Sequence, residues 1–137
     1  MNVFNEQKGF TLIELLLVVA IIGMMLSVSL PVSFSMYSSY NSSLKAQEVV
    51  IFISKLRREA FLYSEMKILS SKNDIITVDG QEKAFDNSRI SVDSPIIFYR
   101  NGTTSGGTVK VNTGGLVYLL AVRAPLGDLV MTRAGVE

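Results

Sequence analysis

Cysteine and histidine are both absent from the 137 residues. Without cysteine there is no disulfide, no thiolate nucleophile and no cysteine-ligated zinc. The periplasm stays open to the chain, because exported domains do not require disulfides. Without histidine, the usual general base near neutral pH and the commonest metal ligand are missing. The two absences argue against an enzyme, and no catalytic residue, cofactor or metal ligand set is expected. Charge bias is missing as well: 13 Lys and Arg stand against 12 Asp and Glu, a net charge of +1. Such a balance gives neither a strongly basic face for nucleic acid nor an acidic solvating tail. The chain is long enough for one modest domain and one membrane segment.

What the chain does have is an apolar excess concentrated in its first quarter. After Glu14 an uncharged run extends from Leu15 to Leu30. The apolar segment from Phe10 to Leu30 would span roughly 31 Å as a helix, matching a hydrocarbon core of about 30 Å. A secretory signal has a shorter apolar core, followed by a small-residue cleavage site. Here Pro31 and the Ser/Tyr-rich stretch from Ser33 to Ser43 follow instead. The segment therefore reads as a retained anchor, and Lys8 on its N-terminal side favours an N-inside orientation. Glu14 is the anomaly, since a charged side chain in a bilayer core costs roughly 2.5–3.5 kcal/mol on insertion scales. On periodicity alone two readings stand: a generic signal anchor with Glu14 near the headgroups, or an anchor whose acid has a partner.

The residues around Glu14 resemble a known motif. Lys8-Gly9-Phe10-Thr11-Leu12-Ile13-Glu14 is similar to the cleavage and methylation motif of type IV pilins and type II secretion pseudopilins, and Pro31 falls where many of them place a helix-kinking proline. The resemblance implies cleavage between Gly9 and Phe10 by a prepilin peptidase on the cytoplasmic side, with methylation of the new Phe10 amine. Gly9, lacking a side chain, lets the backbone approach that peptidase closely. The resemblance further implies assembly with other pilins or pseudopilins on an inner-membrane platform. There the Glu14 carboxylate would pair with the terminal ammonium of Phe10 on another subunit, or on its own chain one turn away.

Four regions are expected: residues 1–9 a cleaved leader, 10–31 a transmembrane and polymerisation helix, 32–69 its amphipathic continuation, and 70–137 a β-rich periplasmic head. Pro31 lacks an amide donor, so a kink or local melting is expected near Ser27 to Ser33, with the helix resuming around Met36. Val49, Phe52, Ile53, Leu56, Ala60 and Tyr63 recur at three- and four-residue spacing among charged residues, the mark of an amphipathic helix with one packed face. The pattern predicts helix to Ile68 and a break over Ser70-Ser71-Lys72-Asn73-Asp74. Beyond it the period shortens. Ile75 to Val78 and Gln81 to Phe85 flank Asp79-Gly80, a strong hairpin signal. Strands are expected at Arg89–Val92, Ile96–Tyr99, Thr108–Val111, Leu116–Val122 and Asp128–Arg133, the apolar Leu116 strand being central. The fold class is α+β: a long N-terminal helix packed on a mostly antiparallel sheet.

A narrower resemblance lies in the second half. Ile97-Phe98-Tyr99-Arg100-Asn101-Gly102-Thr103-Thr104-Ser105-Gly106-Gly107-Thr108-Val109, with the closing Pro125-Leu126-Gly127, is similar to the GspH/FimT branch, which includes minor pseudopilins and minor pilins. The resemblance implies a structural subunit of a type II secretion pseudopilus or a type IV pilus. An alternative is a minor pilin whose head binds DNA for uptake or a secreted substrate. Basic residues around the last glycine turn serve DNA in some members of this branch. Here Asp128 follows Gly127, and the nearest bases are Arg123 and Arg133, so nucleic acid is disfavoured. Gly102 to Gly107 lacks the lysine and helix start of a phosphate loop. Asp74 and Asp79 lack EF-hand spacing. Tyr37 and Tyr40 read as an interfacial aromatic belt rather than a ligand platform.

Overall fold

The computed structural model describes residues 9–134. Residues 1–8, most of the expected leader and including Lys8, lie outside the described residues. The elements are one helix, α1 (Leu12–Leu62), and eight strands: β1 (Lys67–Lys72), β2 (Ile75–Val78), β3 (Gln81–Lys83), β4 (Ser88–Val92), β5 (Ile96–Phe98), β6 (Gly107–Thr113), β7 (Leu116–Arg123) and β8 (Asp128–Ala134). This is the expected α+β class. The chain divides into two compact units, Met1–Tyr37 and Ser38–Glu137.

In the first unit the described residues are almost wholly α1. The helix contains a stretch long and apolar enough to cross a membrane, none of it buried within the chain. Helical assignment continues through Pro31, so of the kink or local melting expected over Ser27 to Ser33 the melting does not occur. Proline removes one donor, the one that would have met the Ser27 carbonyl, while the ladder on either side holds. Serines in this stretch bond to their own backbone: Ser27 Oγ donates to the Met24 carbonyl (2.7 Å) and Ser33 Oγ to that of Ser29 (3.0 Å). An apolar helix thereby tolerates hydroxyls that would otherwise need water.

In the second unit the helix buries Ser42, Ala46, Val49, Ile53, Leu56 and Ala60, a spacing of three and four that puts them on one face. The expected continuation to Ile68 is corrected, because the helix ends at Leu62. Ser64 takes φ +52°, its amide reaches the Phe61 carbonyl (3.3 Å), and the Glu65 amide reaches that of Ala60 (3.0 Å). That bond pair is a Schellman stop, with serine where glycine is usual. Tyr63, placed by its spacing on the packed face, is instead past the stop and 70% exposed.

The expected break over Ser70 to Asp74 is also corrected. Ser70, Ser71 and Lys72 belong to β1, and the turn is Asn73-Asp74, both at positive φ. Asp79-Gly80 turns as expected, with φ of +52° and +83°, joining β2 to β3 in the mirror-image geometry that suits hairpin twist.

A single sheet was expected, and there are two: β3-β2-β1-β5 and β4-β6-β7-β8, all pairs antiparallel. β7 is an interior strand, as its apolar content suggested. Register builds core rows across the second sheet. Ile90 lies opposite Val111, and Val111 opposite Tyr118; Val109 lies opposite Leu120. These side chains are buried together with Leu69, Ile76, Ile96, Phe98 and the helix face in one cluster. Phe52 and Phe85 add an edge-to-face pair at its border, with centroids 5.4 Å apart.

Candidate assembly and processing segment

Gly9, Phe10 and Thr11 precede the helix, which starts at Leu12. Nothing lies within 4 Å of where a Gly9 side chain would begin, and Phe10 is 82% exposed. The backbone at the expected cut is therefore open. Thr11 caps the helix: its carbonyl accepts from the Leu15 amide (3.1 Å) and its Oγ1 from the Glu14 amide (3.3 Å). Thr11-Leu12-Ile13-Glu14 spells a capping box, threonine at the cap and glutamate three residues on. That signal lies within the larger motif, its threonine and glutamate already part of the Gly9 to Glu14 stretch.

Glu14 sits in the first turn of α1. A negative charge there is favoured by the unpaired amides and by the helix dipole. Salt bridges among the described residues involve Lys55, Glu59, Glu65, Lys67 and Asp79, and none reaches Glu14. Its apolar neighbours Leu12, Ile13, Leu15, Leu16 and Leu17 are all exposed in the single chain. The segment presents one acid in a long apolar surface that no other described residue covers.

Other residues weighed in the sequence are drawn into structure. Asp79 Oδ1 accepts from the Ile68 amide (2.9 Å), and Lys67 Nζ lies 3.5 Å from Asp79 Oδ2 and 3.1 Å from Glu65 Oε2. The bond to Glu65, with the charges of Glu65 and Asp79, raises Lys67 above the ordinary lysine pKa. Asp79 thus fastens the β2–β3 turn to β1. Among the described residues no group of three Asp or Glu converges on one point. The Gly102 to Gly107 loop is pinned along β5: the Tyr99 amide donates to the Thr103 carbonyl (2.8 Å) and the Ser105 amide to that of Ile97 (2.9 Å). Tyr37 and Tyr40 are exposed. Arg123 and Asp128 face one another across the β7–β8 pair. The fold also brings Arg57 and Arg58 beside Asp128, in a groove of about 490 Å³. Arg57 and Arg58 are some seventy residues from Asp128 in sequence, and only the tertiary fold shows them next to β8.

Residues 4–30 match the family described as the prokaryotic N-terminal methylation motif. Two fimbrial proteins of Pseudomonas aeruginosa are each 34% identical to this chain over 82 residues, which is 60% of this chain and 48% of theirs. In these residues the chain is similar to proteins of the type IV pilin family. It spans about half the length of these curated relatives. No solved structure matches it. Glu14, the acid in the first turn of the exposed apolar helix, lies within the matched residues 4–30.

Proposed function

We propose that this type IV pilin-like chain is a structural subunit, a minor pilin or minor pseudopilin of the GspH/FimT kind, without enzymatic activity of its own. In this reading a prepilin peptidase cuts between Gly9 and Phe10 and the Phe10 amine is methylated. The apolar helix holds the subunit in the bacterial inner membrane, N-terminus cytoplasmic and head periplasmic. An assembly platform then draws it into a pilus or pseudopilus, with Pro31 as the bend point of the helix. The observation that carries the reading is Glu14: it stands in a membrane-length apolar surface and no ion pair among the described residues engages it.

Leaving lipid for a bundle of like helices desolvates both Glu14 and the new ammonium of Phe10. Pairing between subunits relieves both, and removing one partner of a desolvated pair costs about 3–5 kcal/mol because the other is left uncompensated. The test is Glu14→Ala in cells. Membrane insertion and cleavage should persist while incorporation into fibres is lost. A variant that incorporates at the wild-type level would remove Glu14 from assembly.

A further inference from the structure

The two sheets have four outer edges among the described residues, and three of them are managed. β5 is covered by its own loop, through the Phe98–Thr104 bridge and the Ser105 and Tyr99 bonds. β4 gives its Ile90 amide to the Asp74 carbonyl (2.8 Å) and its Val92 amide to Ser71 Oγ (2.8 Å). β3 has three residues, all exposed, two of them charged. Short, charged edges resist pairing with other chains.

β8 is neither short nor covered, and its two charged residues, Asp128 and Arg133, stand towards its ends. It runs for seven residues, Asp128–Ala134, with Leu129-Val130-Met131-Thr132 uncharged and no proline. Among the described residues no hydrogen bond reaches its outer side. The core rows also end unfinished on it. Leu129, Met131 and Arg133 lie opposite Val122, Leu120 and Tyr118; those β7 residues are buried, while Met131 is 37% exposed. Beside the start of β8 the groove between Leu129 and the helix is walled by Ser54, Arg57, Arg58 and Phe61. Arg57 donates to the Leu126 carbonyl, whereas Arg58 has no ion-pair partner among the described residues. Arg57 and Arg58 outnumber Asp128 in the groove lining, so the slot complements negative charge.

We propose that the β8 edge and this groove form a docking slot for an acidic, extended peptide segment of a neighbouring fibre subunit, which adds a fifth strand to the β4-β6-β7-β8 sheet. Main-chain pairing along an exposed edge supplies affinity, and the side chains of alternate residues supply selection. In this slot one face of the incoming strand covers Met131, and its carboxylate meets Arg58. The inference rests on the fibre reading above, whose Glu14 contact lies in a different part of the chain.

The experiment is amide hydrogen exchange of the full chain, in detergent micelles and in assembled fibres. Amides of Asp128 to Ala134 should exchange about tenfold or more slowly in the fibre, while those of Gln81 to Lys83 keep their rate. Arg58→Glu and Thr132→Lys should each lower incorporation into fibres, Arg58→Lys should restore it, and Glu82→Lys on the charged edge should leave it unchanged. Equal β8 exchange in fibre and micelle, or normal incorporation of Arg58→Glu, overturns the slot. So does β8 protection of the free chain on adding duplex DNA at low salt, which would assign the arginines to phosphate. Fibres that form with β8 unprotected remove the slot alone. Absence of any fibre removes the function and the slot together.

Discussion

Replacing Gly114 by alanine tests how the helix seats on the second sheet. Gly114 and Gly115 turn β6 into β7, with φ of +58° and +76°. An added Cβ at Gly114 would collide with Ser42 Oγ, while Ser42 Cβ stays at an ordinary 3.6 Å. Ser42 is buried, and its hydroxyl donates to the Ser38 carbonyl (3.0 Å). Two costs follow. Left-handed backbone at a non-glycine residue costs roughly 1–2 kcal/mol, offset by about 0.4–1 kcal/mol from the stiffer unfolded chain. Crowding a packed site costs about 1–3 kcal/mol more. Gly114→Ala should therefore destabilise by about 2–4 kcal/mol. In a Ser42→Ala background only the backbone cost remains, about 1 kcal/mol. Urea unfolding of the full chain in detergent micelles, followed by tyrosine near-ultraviolet dichroism, measures both. A coupling of about 1–3 kcal/mol is expected between the two positions. Equal destabilisation by Gly114→Ala in both backgrounds would refute the contact between helix and turn.

Ile53 is fully buried at the centre of the helix face, and Ile53→Ala should cost about 2–5 kcal/mol in the same unfolding assay. Asp79→Ala loses both the left-handed tolerance of aspartate and the bond to the Ile68 amide, so about 1–3 kcal/mol should go; Asp79→Asn keeps both and should cost less. Because Lys67 is raised above the ordinary lysine pKa, chiefly by its bond to Glu65, the folded chain holds that proton more tightly than the unfolded one. Its stabilisation is complete below the unfolded lysine value of about 10.4 and fades as pH rises through the folded value. Alkaline titration of stability should thus show a decline that Lys67→Gln reduces; an unchanged decline in that variant would contradict the assignment.

Residues whose local pattern matched their long-range role were legible in the sequence. Asp79-Gly80 turns because both residues accept positive φ, and Val49, Ile53, Leu56 and Ala60 pack because their spacing and their polarity agree. Glu14 stood out because the apolar run from Leu15 to Leu30 beside it holds no residue of opposite charge. The misreadings have physical sources. Tyr63 continues the helical period, but the Schellman bonds around Ser64 end the helix before it, and no glycine announces the stop. Ser70-Ser71-Lys72 looks like loop, yet it is strand, and Ser71 earns its place by accepting the Val92 amide. Ser42 is small and polar, so its burial against the β6–β7 turn has no hydrophobic signature. Two sheets rather than one follow from β4 pairing with β6 while β5 pairs with β1, a choice between distant partners that period and turn residues do not encode. The groove at β8 draws on α1 and the β8 strand, far apart in sequence, and so was invisible before folding.

In the proposed assembly Glu14 answers an amine which exists only after the leader has gone. Sequencing the N-terminus of the protein recovered from cell membranes tests it most directly. A chain starting at Phe10, its amine methylated, is expected; a recovered chain still starting at Met1 would refute the pairing.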